Sequence, residues 1–519
     1  MKENKLVRFS MLALILFSIF LGILLFFQVV IDDAFIFFKY GYNLVNHGVW
    51  SWSLNGKPVE AYTSATYAIL SIFPYILHVQ PHLFIKFVGL LFLFILLYRV
   101  YKKTSSITFS LFTILIIVTN WQTYVHTFSG LETILWCWLL VESFLILREE
   151  NISVKKQWFL WILCLILTIT RPEGAIYAFA YLCYFIFYRK IKLSLLPLLV
   201  IGIIGLIYFI ARYLYFGLLF PLPFYHKVTG NQFGILAFIF NLYTSWYYLI
   251  CVGLLIYVLR KNKLLLFLGT VSMIIFFGLY GKSFLVMNFA DRFPFQLFFP
   301  FIIFSLLELK NDNYIRTIKV VMICIFLNMI IFSKGIYDNN YIELASIANN
   351  AGSPFIVARS HYILAKNINK INDIKNKKIN ILIGDAGVFP HYVKATCHDY
   401  NGLTDAYFAK KKLDKAYFNN ANADVVLIGY GKPDKNELIH DITNCKTIFT
   451  YVDQNIDYEY VGFTINYENG YYVHIYLKKS SNYHDELNIA LKNAIHQSKN
   501  ATFSIKKFIK MKYLNFDNV

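Results

Sequence analysis

Residues 64–79 read SATYAILSIFPYILHV, and whether this segment crosses a membrane decides the topology of the whole chain. It is apolar, but a crossing helix needs about 20 residues. Pro74 interrupts it and no positive charge flanks it. Its length suits a re-entrant or juxtamembrane helix. Charge tests the choice. If the segment does not cross, every second loop carries a basic cluster: Lys2, Lys5 and Arg8; Arg99, Lys102 and Lys103; Arg148, Lys155 and Lys156; Arg189, Lys190 and Lys192; Arg260, Lys261 and Lys263; Lys310, Arg316 and Lys319. All are then cytoplasmic, as the positive-inside rule requires. If it crosses, every cluster after the first falls outside. The non-crossing reading wins.

The remaining apolar runs lie near residues 10–31, 83–101, 106–121, 130–147, 157–170, 174–188, 193–212, 234–258, 263–281, 293–308 and 316–333. They predict a polytopic α-helical membrane protein with about eleven spans plus the juxtamembrane or re-entrant helix. Composition points the same way. The 519 residues are 58% hydrophobic and 15% charged, with a mean hydropathy of +0.52, which excludes an ordinary soluble protein. No small-residue cleavage site follows the first run, so it reads as an uncleaved span rather than a signal peptide. The net charge of +19 sits largely in short loops and reads as topology, not as a nucleic-acid surface. The 19% aromatic share goes with a wider Lys, Asn, Ile, Phe and Tyr bias and carries little functional weight.

This topology divides the chain into a transmembrane domain, 1–334, and an extracytoplasmic α/β domain, 335–519. In the second, KKINILIGD (Lys377–Asp385) and ADVVLIGYG (Ala423–Gly431) read as buried strands. Tyr458–Leu477 reads as a hairpin turning at Asn469-Gly470, and Asp485–Gln497 as a helix. The basic tail Lys506–Lys512 reads as a solvated or membrane-contacting end. Cys137, Cys164, Cys183, Cys251 and Cys324 fall in spans and are expected to be inert packing residues. Cys397 and Cys445 make one disulfide if their compartment is oxidising, a pairing that spacing alone leaves open.

The outer loops hold the unusual residues. Asp32 and Asp33 follow the first span directly, where desolvating an acid is costly. Neighbouring side chains diverge by about 100° on a helix, so the two do not share a proton. Either both simply solvate a span end, or one acts as general base while the other fixes a hydroxyl, a metal or the loop itself. HTFSGLET (His126–Thr133) puts Glu132 at a span start, where the helix dipole alone accounts for an acid. In TRPEG (Thr170–Gly174), Pro172 and Glu173 fit a helix start, but Arg171 calls for an acid or an anionic group. Arg212–Gly230 carries Arg212, Tyr225, His226 and Lys227, suited to an interfacial belt or to a phosphate flanked by a lipid or sugar. MNFADRF (Met287–Phe293) adds Asp291 and Arg292. In the C-terminal domain, Asp385, His391, Asp399 and Asp405 divide between glycan contact and turn duty. A divalent metal beside Asp32 and Asp33 stays open, but no His/Asp/Glu cluster with ligand spacing supports a firm site, and no cofactor is assigned.

Taken in order along the chain, DDAFIFFKYGYNLVNHGVWSWSLNGKPVEAYTS, SGLET, TRPEG, RYLYFG…PFYHK and NFADRF resemble the GT-C glycosyltransferases. More narrowly, they resemble relatives of the terminal β-(1→2)-arabinofuranosyltransferase of the mycobacterial cell wall. Ile383–Ala409, IGDAGVFPHYVKATCHDYNGLTDAYFA, looks like the C-terminal motif of that group. The resemblance implies a polyprenyl-phosphate sugar donor, a glycan or lipid-linked glycan acceptor such as lipopolysaccharide, and an active site on the extracytoplasmic side of a bacterial inner membrane. It implies Asp32 or Asp33 as catalytic base, with Asp32 favoured. Arg171, Arg212, Tyr225, His226, Lys227 and Arg292 are the implied donor-phosphate and substrate contacts, with Glu60, Glu132, Glu173 and Asp291 in support. Lys39, Leu222, Pro223 and His226 depart from the group's usual pattern.

A lipid or glycan transporter is the rival class. It predicts ionisable residues at mid-bilayer and paired broken helices in repeated halves, whereas this chain shows no sustained internal repeat. A receptor or assembly factor is a third reading, and it would tolerate loss of Asp32 and Asp33.

Overall fold

The computed structural model describes residues 5–27, 29–54, 57–104, 106–189, 194–229, 248–249, 252–253, 262–280, 289–308, 358–372, 374, 376–409, 411, 413–440, 444–466 and 471–500. The expected spans 234–258 and 316–333 lie almost wholly outside the described residues, as does the basic tail 506–512.

The chain begins with α1 (Lys5–Phe26), followed by α2 (Ala34–His47). The decisive segment 64–79 folds as two short helices, α3 (Ala65–Leu70) and α4 (Phe73–Ile76). Ser64 caps α3 by accepting the Tyr67 N–H, and Pro74 sits in the first turn of α4, where its missing N–H costs nothing. Neither helix is long enough to cross a bilayer. Next come α5 (Pro81–Lys103), α6 (Ile107–Thr119) and α7 (Trp121–Phe128). The apolar run at 106–121 predicts a span that ends there, with His126–Thr133 in a loop. The chain instead bends by 66° and starts a new helix, because the Asn120 side chain accepts the Gln122 N–H and caps it.

The bundle continues through α8 (Thr133–Leu147), α9 (Val154–Thr170), α10 (Gly174–Cys183, running on as a π-helix to Arg189), α11 (Leu195–Phe216), α12 (Leu222–Thr229), α13 (Lys263–Ile275) and α14 (Arg292–Glu308). Among the described residues, four helices are long and apolar enough to cross a membrane: Lys5–Leu24, Pro81–Lys103, Leu195–Phe216 and Lys263–Tyr280. α11 exposes Leu199, Leu206 and Leu214, a surface that suits hydrocarbon and not water. The chain is thus a multi-pass membrane protein. α8 and α14 are shorter and buried on almost every side, so they form the centre of the bundle. Two ion pairs, Arg99–Glu142 at 2.5 Å and Arg148–Glu308 at 3.2 Å, lie toward the C-terminal ends of these helices.

The C-terminal part contains α15 (Ala358–Ile368), β1 (Asn380–Ile383), α16 (Val388–Tyr392), β2 (Thr396–Asp399), α17 (Lys415–Ala421), β3 (Val425–Tyr430), α18 (Asn444–Asp453), β4 (Tyr458–Asn466), β5 (Tyr471–Lys478) and α19 (His484–Asn500). The strands form one five-stranded sheet in the order β2-β1-β3-β5-β4, parallel through β2, β1 and β3 and antiparallel beyond. Alternation along the strands builds a core on each face. Ile381, Ile383, Val425 and Leu427 pack under α15 and α19, and Leu382, Val426 and Ile428 pack with α17 and α18. The two expected strands, the hairpin and the helix are all present, although the hairpin turn at Asn469-Gly470 lies outside the described residues. The disulfide is not. Cys397 packs with the first core and Cys445 with the second, so the sheet itself separates the two thiols and no disulfide joins them.

Candidate active site

Asp32 lies where the helical bundle meets the C-terminal domain. After α1 the chain hydrogen-bonds from the Ile31 N–H to the Ser129 carbonyl at 2.9 Å, which ties the acid pair to the SGLET loop. Gly130 is left-handed there (φ +79°), and a Cβ would come within 2.7 Å of the Ala34 methyl, so close approach requires glycine. Asp33 takes the N-cap position of α2 and is half-buried, whereas Asp32 is 5% exposed. The Asp32 carboxylate accepts the Gly387 N–H at 3.0 Å on one oxygen and the Val388 N–H at 2.8 Å on the other.

The surroundings of Asp32 come from both halves of the chain. Trp52 donates its indole N–H to the Ala386 carbonyl (3.2 Å), and Lys39 donates to the Pro390 carbonyl (2.5 Å). α2 holds the first loop in place through Tyr40, which donates to the Val59 carbonyl and accepts the Ala61 N–H. Asp385 lies beside the same turn, with His361 Nε2 at 3.1 Å and the Tyr471 hydroxyl donating at 2.7 Å. Burial, then the neighbouring Asp385, push the Asp32 carboxyl up to about 7, while His361 and the Val388 amide work against them. Burial also pushes Asp385 upward, but His361 and Tyr471 outweigh it and hold that carboxyl below its usual range.

The three charged motifs meet in a second buried cluster. Arg171 donates to Glu132 at 2.6 Å and to Glu173 at 3.1 Å, and Arg292 donates to the same Glu132 oxygen at 2.8 Å. Tyr280 donates to Glu173 and accepts from Gln296. Glu132 does hold the N-cap position of α8, but its side chain makes no capping bond and goes to the arginines instead. Asp291, next to Arg292, accepts from Gln122 at 3.0 Å. Ala290 and Asp291 are both left-handed, at about 1–3 kcal/mol each. The bond from Gln122 and the His126 contact to the Ala290 carbonyl (3.0 Å) hold them there.

The third feature is a cavity of about 500 Å³ between α9, α10 and α11. Its walls are apolar, with Leu165, Ile169, Phe179, Leu182, Leu198 and Ile201. At one end Arg212 donates to Glu60 at 2.7 Å and to the Leu219 carbonyl at 2.9 Å. Burial pushes the Glu60 carboxyl up to about 7 even against Arg212. The Leu222 N–H donates to the Glu60 carbonyl, and the Tyr225 hydroxyl accepts the Phe220 N–H, so α12 is stitched to this lip. The side chains of His226 and Lys227 lie outside the described residues.

Of the C-terminal acids, Asp399 accepts from Asn401 and Thr404, and Asp405 accepts from Tyr407 and Tyr417, which is turn duty. His391 packs against Phe35 at 5.4 Å. Sequence reasoning missed His361, Tyr471, Trp52 and Lys86. The last is 1% exposed with its ammonium 4.9 Å from the Phe27 ring, and its signal was a His82–Lys86 pair one turn apart on an apolar span. Among the described residues no group of three or more His, Cys, Asp or Glu side chains converges as a metal site.

This architecture, a helical bundle with a small α/β domain seated on one end, defines a multi-pass membrane protein with an ArnT-like fold. Its solved counterparts include two crystal structures of ArnT from Cupriavidus metallidurans, one bound to undecaprenyl phosphate and one in the apo state. Both align with a TM-score of 0.51 at 12% identity. The first covers 90% of this chain and 97% of ArnT, the second 91% and 98%. No family model matches the chain, and no curated protein matches it.

Proposed function

We propose that the protein is an inverting glycosyltransferase. It moves a monosaccharide, a pentose such as arabinofuranose on the sequence resemblance, from a polyprenyl-phosphate donor to an envelope glycan such as lipopolysaccharide. The reaction takes place on the extracytoplasmic face. The observation that carries this reading is Asp32, an acid buried at the bundle end. Among the described residues no arginine or lysine meets its oxygens, and the fold is that of a protein solved with undecaprenyl phosphate bound.

In this reading the apolar cavity between α9, α10 and α11 takes the isoprenoid tail, and its Glu60–Arg212 lip faces the headgroup. Asp32 takes the proton from the acceptor hydroxyl as that oxygen bonds to the anomeric carbon. The bond from that carbon to the phosphate oxygen breaks, polyprenyl phosphate leaves with the electron pair, and the configuration inverts. A carboxyl titrating near 7 is well matched to this work. Asp33, at the start of α2, lies beside it in support. Arg171 and Arg292 are neutralised by Glu132 and Glu173, so they serve the donor phosphate through a shared field rather than as uncommitted charges.

The test is mass spectrometry of envelope glycans from a deletion strain complemented with wild type, Asp32→Asn or Asp33→Asn at matched protein levels. Loss of one pentose- or hexose-sized increment, restored by wild type and not by Asp32→Asn, supports the transferase. Restoration of every glycan by both variants makes the acids structural and refutes the mechanism.

A further inference from the structure

We infer that the C-terminal domain supplies a working part of the acid site: the turn Asp385–Val388 positions Asp32, and Asp385 is a positioning residue that acts on the reaction through it. This rests on the transferase reading above.

Four observations carry the inference. Both Asp32 oxygens are met by backbone N–H groups from a segment 355 residues away, so the acid's orientation is set by the other domain. Gly387 is glycine for a steric reason, since a Cβ there would run into the Asp32 carbonyl and carboxylate. The turn is anchored on both sides of the contact, by Trp52 on Ala386 and by Lys39 on Pro390. Finally, Asp385 opens the same turn two residues before Gly387, and His361 and Tyr471 hold its carboxylate from behind.

Such a pair has a chemical consequence. Backbone amides orient a carboxylate without the full countercharge that an arginine would bring, and a nearby acid keeps its proton affinity high. The titratable groups that face Asp32 are Asp33 on its own element and Asp385, His361 and Tyr471 from the C-terminal domain, with the Val388 amide donating to it. Lys39 points instead at the Pro390 carbonyl and the Trp52 ring. The base is therefore tuned across the domain boundary, and transfer requires the docked domain.

The experiment uses the full-length protein in membranes and follows donor consumption by mass spectrometry across the neutral pH range. Asp385→Asn keeps the shape and removes the charge. It also makes His361 easier to deprotonate, which works the opposite way, but Asp385 is the larger influence on Asp32. The acid limb of kcat/KM is therefore expected to move to lower pH. Gly387→Val forces Asp32 aside and lowers kcat by roughly 10²-fold, the cost of a misplacement of about 1 Å. If Gly387→Val fails to accumulate, the limb of Asp385→Asn decides alone. An unshifted limb in Asp385→Asn, with Asp32→Asn inactive, overturns the positioning role and leaves the transferase reading standing. Wild-type turnover by Asp32→Asn overturns Asp32 as the base and the positioning role with it, and no donor consumption by wild type overturns the transferase reading.

Discussion

Glu132 and Asp32 are acids buried at the same end of the same bundle, yet their surroundings compensate them in opposite ways. Glu132 receives two guanidinium groups and sits in a cluster of two acids and two arginines. Asp32 receives two neutral N–H groups and has another acid beside it. Full countercharge fixes a structure, and a fixed ion pair resists protonation. Partial compensation leaves a carboxyl that gains and loses a proton near neutrality. The first arrangement joins α8, α10 and α14; the second is what a proton-transfer site needs.

The comparison breaks most visibly at Glu132. Glu132→Ala leaves Arg171 and Arg292 buried around a missing acid and is expected to cost about 3–5 kcal/mol. A thermal melt of the purified protein checks this, and an unchanged midpoint would show that the cluster is not a structural joint. Smaller is the effect of filling the lipid cavity. Gly202 has nothing within 4 Å of an added Cβ, so Gly202→Trp leaves α11 intact while its indole enters the cavity. Donor KM is expected to rise roughly 10–200-fold, the order for a changed apolar contact, with the melting midpoint retained.

Titration sharpens the contrast further. Asp32 must be ionised to act, so kcat/KM is expected to rise as pH climbs through about 7. Stability runs the other way. A carboxyl whose folded value is raised contributes fully below the ordinary carboxylate range and loses that contribution as pH rises through about 7. Activity and melting point measured on one pH series should therefore cross. The smallest effect is at the thiols: because no disulfide joins Cys397 and Cys445, reductant is expected to leave the melting point unchanged.

Much of the fold was legible because it is written in local pattern. Apolar run lengths marked the helices, Pro74 and charge bookkeeping kept 64–79 from being a span, short continuous apolar runs marked β1 and β3, and the Asn469-Gly470 turn marked the hairpin. The site was legible in part. SGLET, TRPEG and FADRF were expected on one face, and the structure does bring Glu132, Arg171, Glu173 and Arg292 together. Their partners were not legible, since a helix-start acid looks the same whether it faces a dipole or two arginines. The Asp32–Gly387 contact was hidden for a simpler reason. Nothing local to either residue encodes a bond between segments 355 residues apart. Asp385 accordingly reads as a turn residue in the sequence, and only the fold brings His361 and Tyr471 onto it.

The most direct measurement is donor turnover in membranes of the deletion strain, which retain both unused donor and unmodified acceptor. Purified wild type, Asp32→Asn and Asp33→Asn are added, and conversion of polyprenyl-phosphate sugar to polyprenyl phosphate is followed by mass spectrometry. Wild type is expected to convert the donor, with a loss of roughly 10²–10⁴-fold in Asp32→Asn, the range for removing a general base. No conversion by wild type, or full conversion by Asp32→Asn, would contradict a transferase with Asp32 as its base.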